Sequence, residues 1–213
     1  MQLIGQYDSP FVRRVGIALT WYGMPFTQLP LSVFGDADAL AQHNPLRRVP
    51  TLVLNDGTVL TETFVCLDAL DQLAAESHGV DWDRLLVPAR GAERLRVLRR
   101  CGFVSGAADK VVSLVYEERL REHKSQLWTE RCTAQVVDTL HLLERETPNS
   151  IQGLNVLTHD VIASTCLLTF IINAQPSLLA KVEAPNLFRL RDACEARPEF
   201  QAVYAPFSVA MPS

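Results

Sequence analysis

Phe11, Val15, Ala18, Leu19 and Tyr22 follow one another at spacings of 4, 3, 1 and 3, which traces one face of a helix. Ser9-Pro10 opens that helix, with a hydroxyl at the N-cap and a proline in the first turn. Gly23 and Pro25 close it. Short apolar runs flank it, at Gln2 to Gly5 and at Phe26 to Leu29, and both suit strands. Strand, helix and strand in this order predict a βαβ unit with a parallel pair and a right-handed crossover. A loop and a short helix follow between Leu31 and His43. Thr51 to Leu54 and Thr58 to Leu60 then read as an antiparallel hairpin around the turn signal Asn55-Asp56-Gly57. Glu62-Thr63 opens a further helix, whose Leu67, Leu70 and Ala74 mark a buried stripe.

The pattern lapses between Ser77 and Pro88 and becomes helical throughout beyond it. The expected organisation is an α/β domain over 1–77, a linker over 78–88 and an all-α domain over 89–213. In the second domain, Ala89 to Glu122 reads as one long helix, in which Gly102, Ser105 and Gly106 would let another backbone approach. Ser125 to Glu146 is the next helix, with Val136, Leu140 and Leu143 on one face. Thr158 to Asn173 is apolar enough to be a buried core helix, and Asn186 to Ala196 and Glu199 to Tyr204 are short. The six arginines between Arg84 and Arg100 read as a solvated or interface-rim face.

Composition narrows the function. The chain has 213 residues, 48% apolar and 21% charged, enough for a self-sufficient core without disulfides or a metal. Its net charge of −4 lacks the basic excess of a phosphate-neutralising surface, so no nucleic-acid partner is expected. The longest apolar run, Val161 to Ile172, falls short of a transmembrane span, and no membrane partner is expected. The N-terminus lacks the basic start and apolar stretch of a signal peptide, and a cytoplasmic location is expected. The five cysteines are scattered, with neither CxxC nor metal-ligand spacing, so they read as reduced buried thiols and no metal is expected.

Three local motifs carry a resemblance. They are Ser9-Pro10-Phe11-Val12-Arg13-Arg14, Asn44-Pro45-Leu46-Arg47-Arg48-Val49-Pro50-Thr51-Leu52 and Leu60-Thr61-Glu62-Thr63. Their order and spacing resemble the cytosolic glutathione transferases, in particular bacterial members with a Ser or Cys in the N-terminal motif. The resemblance implies a thioredoxin-like N-terminal domain, an all-helical C-terminal domain that contributes the acceptor-substrate pocket, and usually a homodimer. It implies glutathione as co-substrate and an electrophilic small molecule as acceptor, in the chemistry of detoxification. The family often has Gly where Arg47 stands and Glu-Ser where Glu62-Thr63 stands. It also usually opens the buried helix with a Ser/Thr-x-x-Asp box; with Asp160 as its Asp, Leu157 occupies the cap position and Thr158 comes one residue late, so a weakened cap is expected.

Each candidate residue also has a local structural reading. Ser9 is an N-cap on local grounds; by resemblance its hydroxyl donates to the thiolate of glutathione. Tyr7 offers a rival hydroxyl, and Asp8 sets a negative charge beside Ser9. A thiol with a pKa of about 8.5 is only a few percent ionised at pH 7, so lowering it by ~2 units requires about 2.7 kcal/mol of preferential stabilisation. Serine in place of the family's cysteine disfavours mixed-disulfide chemistry. Val49-Pro50 is a strand start on local grounds; by resemblance it is a cis peptide whose Val49 backbone pairs with the cysteinyl backbone of glutathione. Arg48 is a loop charge or a partner for the glycine carboxylate. Glu62-Thr63 is a helix start, or the site where the helix N-terminus and Thr63 hold the γ-glutamyl carboxylate while Glu62 accepts from the ammonium group. Phe11 would floor the acceptor pocket; Phe103, Ser105 and Tyr116 would line it from the long helix, although aromatics at helical spacing are more often core. A glutathione transferase is the leading reading. A non-catalytic binding or interaction protein with the same fold, and a glutathione-dependent isomerase or dehalogenase, are the alternatives.

Overall fold

The computed structural model describes residues 1–77, 79–80, 85–149 and 157–208. The chain divides into two compact units, one of Met1–Ala89 with the chain from Arg197 onward, the other of Arg90–Ala196. The expected linker lies partly outside the described residues. Its described end, Leu85 to Val87, is buried and belongs to the first unit.

The first unit is built in βαβ then ββα order, as its periodicity predicts. β1 (Gln2–Ile4), α1 (Pro10–Trp21) and β2 (Thr27–Leu29) form the first half. After a short α2 (Ala37–Ala41) come β3 (Thr51–Val53), β4 (Val59–Thr61) and α3 (Thr63–Ser77). The sheet order is β2-β1-β3-β4, with β1 parallel to β2 and the other pairs antiparallel. Leu3 lies opposite Gln28 on one side and Leu52 on the other, and Leu52 opposite Leu60. α1 and α3 pack on each other, and Val12, Val15, Leu19, Leu67, Leu70 and Ala74 are buried. This is a thioredoxin-like arrangement.

Tyr22 fastens the end of that unit. Its hydroxyl donates to Asp71 Oδ1 at 2.6 Å and accepts from Leu86 N at 2.8 Å, while Val87 N donates to Asp71 Oδ2. Burial, then the Asp71 charge, pushes the Tyr22 hydroxyl far above its ordinary pKa, so it stays a donor. α8 (Pro198–Gln201) and the residues after it return to α1, a contact that no local pattern signals.

The second unit is all-helical: α4 (Gly91–Leu120), α5 (Gln126–Glu146), α6 (His159–Ala174), a 3₁₀ turn over Pro176–Lys181, and α7 (Pro185–Glu195). α4 packs on α5 and α6, and α6 on α7. α6 is buried on nearly every face, as its apolar composition predicts. No helix among the described residues is long and apolar enough to cross a membrane. All five cysteines are buried thiols outside any disulfide.

One expectation for this unit is corrected in part. Arg90, Arg96 and Arg99 are exposed as expected, but Arg100 is buried, with Nε 2.9 Å from Asp160 Oδ2, and Arg96 reaches the same oxygen at 3.1 Å. Arg99 and Arg100 also hold Glu146. Arg84 lies outside the described residues. The cap of α6 is weak, as expected: Thr158 occupies the N-cap without a side-chain cap bond, and its hydroxyl donates to Asp160 Oδ1. A carboxylate drawn to two guanidiniums is engaged more strongly than by a helix N–H. Gly102 and Gly106 face open space: beyond their chain neighbours and their own helix backbone, no described atom comes within 4 Å of a Cβ placed there, so another backbone has room to approach.

Candidate functional site

Ser9 stands at the N-cap of α1, with Oγ accepting from Phe11 N at 3.3 Å and Val12 N at 3.4 Å. Both of its lone pairs face helix N–H groups, so its own proton is left to donate. Acceptance from the positive end of a helix polarises the hydroxyl and makes it a better donor. Phe11, in the same turn, is half-buried.

The rival hydroxyl is placed differently. The Tyr7 ring packs over Gly16, where a Cβ would stand 3.1 Å from Tyr7 Cε1 and 3.3 Å from Val203 Cγ1. Burial raises the Tyr7 pKa. Asp8 does not aim at Ser9 alone: its Oδ2 accepts from Ser208 N at 3.1 Å. Burial raises the Asp8 carboxyl, against the N–H groups of Ser208 and Ser9, which lower it.

Gly5 joins this helix start to the Val49 loop. Its φ is +129°, and a Cβ there would stand 2.5 Å from Val12 Cγ2 and 2.9 Å from Val49 Cβ. Only the missing side chain lets Val49 lie against the first turn of α1. The Val49–Pro50 peptide is cis. Among the described residues, the Val49 N–H and C=O have no hydrogen-bond partner. The loop before them is held by Asn44, buried, whose Nδ2 donates to Arg48 O, Thr51 Oγ1 and Thr61 Oγ1. Its Oδ1 accepts from Leu46 N. Arg47 sits at φ +50°, the left-handed region that favours glycine, and pairs with Asp38 at 2.7 Å.

On the other side of Val49, Arg48 Nη1 lies 3.1 Å from Glu62 Oε1, both half-exposed. Arg48 and Glu62 are thus each other's partners. Glu62 has φ +68°, an uncommon conformation for a residue with a side chain, and its C=O accepts Cys66 N to start α3. Thr63, the first residue of α3, is buried. Burial pushes the Cys66 thiol up to about 12, which leaves it inert as a nucleophile.

Contacts therefore run unbroken from Ser9 through Val12, Gly5, Val49 and Arg48 to Glu62 and Thr63. Residues 3–78 match the family model of the glutathione S-transferase N-terminal domain. That match spans the path from Ser9 to Thr63 just described. Over 97% of this chain and 99% of the other, the chain is 23% identical to YibF, an uncharacterised GST-like protein of Escherichia coli K12. A glutathione S-transferase of Methylobacterium radiotolerans, solved in complex with glutathione sulfonate, superposes with a TM-score of 0.86 at 27% identity, over 100% of this chain and 97% of that one. A family member from Pseudomonas fluorescens Pf-5, solved with bound glutathione, gives 0.81 at 29% identity over 97% and 99%. These likenesses show the fold, a thioredoxin-like domain followed by an all-helical region, which this chain shares with glutathione S-transferases.

Of the expected site residues, Ser9, Val49, Arg48, Glu62 and Thr63 fall along this one connected path. Phe103, under the Arg99 guanidinium at 5.0 Å, and Tyr116 are exposed on the second unit. The sequence reading missed Gly5 and Asn44. The only local signals were a glycine after an apolar run and an Asn-Pro step, neither of which names a distant partner.

Proposed function

We propose that this chain is a glutathione transferase of the serine type, which binds glutathione on the first unit and directs its thiolate to an electrophilic small molecule. What carries the reading is the Val49 loop. Its unpaired backbone N–H and C=O are held between the Ser9 end of α1 and the Arg48–Glu62 pair at the start of α3. A short strand-like pairing with a cysteinyl backbone fits there. The Ser9 hydroxyl would then donate to the sulfur, with the α1 N-terminus favouring its negative charge. The sulfur forms a bond to carbon, and the leaving group departs with its electron pair. Serine cannot form a mixed disulfide, so conjugation rather than thiol–disulfide exchange is the reaction. Arg48 serves the glycine carboxylate, Phe11 the acceptor side, and the start of α3 with Thr63 the γ-glutamyl carboxylate.

The reading includes a homodimer, supported by an exposed stripe of α4 in which Leu95 and Phe103 stand beside the open Gly102 and Gly106. It also includes a cytoplasmic role in handling electrophiles.

Glu62 supplies the sharpest test. Its pairing with Arg48 is half-exposed and worth little by itself, so the carboxylate turns to an ammonium group at small cost. Glu62→Gln removes a charge-assisted hydrogen bond of about 1.5–3 kcal/mol. Calorimetric titration with glutathione should show binding weakened roughly 10- to 150-fold. Thr63→Ser should be nearly neutral. Unchanged affinity in Glu62→Gln would make Glu62 a helix-start residue only and favour a non-catalytic binding protein.

Ser9→Ala should raise the pKa of the bound thiol by about one to two, read from the thiolate absorbance against pH, with little change in glutathione affinity. If Tyr7→Phe gave that shift and Ser9→Ala did not, the role would pass to Tyr7.

A further inference from the structure

The chain after α8 is tied to α1 at several points of unlike strength. Arg13, itself buried, donates from Nε to Val203 O at 3.2 Å and from Nη2 to Phe200 O at 3.0 Å. Its guanidinium lies over the Tyr204 ring at 5.1 Å. Val203 packs at Gly16, the position that also receives Tyr7. Phe200 and Val203 thus sit on the second turn of α1. Ser208 meets Asp8, the residue before the N-cap. The segment therefore runs back along α1 toward Ser9. Its inner anchors are buried and part of the core. Farther out, the Ser208–Asp8 hydrogen bond is exposed and can open without disturbing the core.

We propose that Asp8 is a positioning residue: it latches the segment Tyr204 to Ser208 beside the Ser9 end of α1, and the latched segment limits the size of acceptor that reaches the thiol. The inference rests on the proposed transferase reading only for its consequence; the latch stands on the Asp8–Ser208 contact. It also gives the acidic neighbour of Ser9 a task, because a carboxylate engaged with a tail amide opposes a nearby thiolate less than one aimed at it.

The full chain is compared with Asp8→Ala, Asp8→Asn and a chain ending at Phe207. The Ser208 amide should exchange with deuterium roughly 10-fold faster in Asp8→Ala than in the parent. In Asp8→Asn it should stay protected, since the amide oxygen still accepts. Glutathione conjugation is then followed with a small haloalkane and with a bulky chloronitroarene. Asp8→Ala and the shortened chain should lower KM for the bulky acceptor relative to the small one by about 5- to 10-fold, with the KM for glutathione unmoved and Asp8→Asn parent-like. Parent-like protection of Ser208 in Asp8→Ala overturns the latch. Lost protection with an unmoved acceptor ratio overturns the size limit. An Asp8→Asn that keeps protection yet matches Asp8→Ala in kinetics shows that the Asp8 charge acts instead, and also overturns it. If Asp8→Ala does not fold, the chain ending at Phe207 decides by its acceptor ratio. A parent that fails to bind glutathione defeats the transferase reading, while the exchange measurement still judges the latch.

Discussion

Replacing Asp160 with Ala should remove about 2–4 kcal/mol of stability, because it takes one of two carboxylates from a buried guanidinium and leaves its Nε–H without an acceptor. Arg100 Nε has Asp160 Oδ2 as its partner, and the Arg100 side chain is 4% exposed. Its remaining contacts, Glu146 Oε2 at 3.2 Å and Thr147 Oγ1 at 3.4 Å, fall on its terminal nitrogens and cannot serve Nε. Arg100→Met should cost less. It leaves Asp160 with Arg96 and Thr158, and leaves Glu146 with Arg99. The two changes together should cost clearly less than their sum, since the second removes the Nε–H that the first leaves without its acceptor. Thermal melts of the three variants test this, with Asp160→Ala expected to fall by on the order of 10 °C. A loss in Asp160→Ala no larger than in Arg100→Met would show that Arg100 finds water or another acceptor.

The same pair shows where a sequence stops being readable. α4 and α6 were legible as a long helix and a buried one, because a stretch without proline and an apolar run broken only by Ser and Thr are local signals. Ser9, Thr63 and Ser125 were legible as helix starts for the same reason: a cap is written within a few residues. Arg100 was read as a surface charge because its partner lies 60 residues away, and charge runs are usually solvated. Asp8 was read as a liability for Ser9 because its partner is 200 residues distant. The return of the chain after α8 to α1 depends on Arg13 meeting two backbone carbonyls, and carbonyls carry no sequence signature. At the site the division repeats. The chemical groups announced themselves, whereas Gly5 and Asn44, which hold them in place, did not. Arg47 and Glu62, both at positive φ, are the reverse case, in which a backbone need typical of glycine is hidden under a side chain.

Gly5→Ala should be among the most damaging single changes in the first unit, and its damage should reach the glutathione site. Two independent costs act at once. The backbone at φ +129° is a conformation that residues with a Cβ scarcely adopt, worth about 1–3 kcal/mol. The added Cβ meets Val12 at 2.5 Å and Val49 at 2.9 Å, and forcing a well-packed core apart costs a further ~1–3 kcal/mol. The stability loss should therefore be about 2–6 kcal/mol, read by thermal or urea denaturation. Both clashing neighbours belong to the site: Val12 N donates to Ser9 Oγ, and Val49 carries the unpaired backbone groups. The folded fraction should then bind glutathione more weakly, because relieving the clash moves one neighbour or the other. A second change separates the two costs. Val12→Ala in the Gly5→Ala background deletes the nearest clashing atom and should return part of the packing cost, while the backbone cost remains. Full recovery would mean that φ at Gly5 is free to adjust. A Gly5→Ala variant that melts within 2 °C of the parent and binds glutathione normally would show that Val49 does not need its close seat against α1.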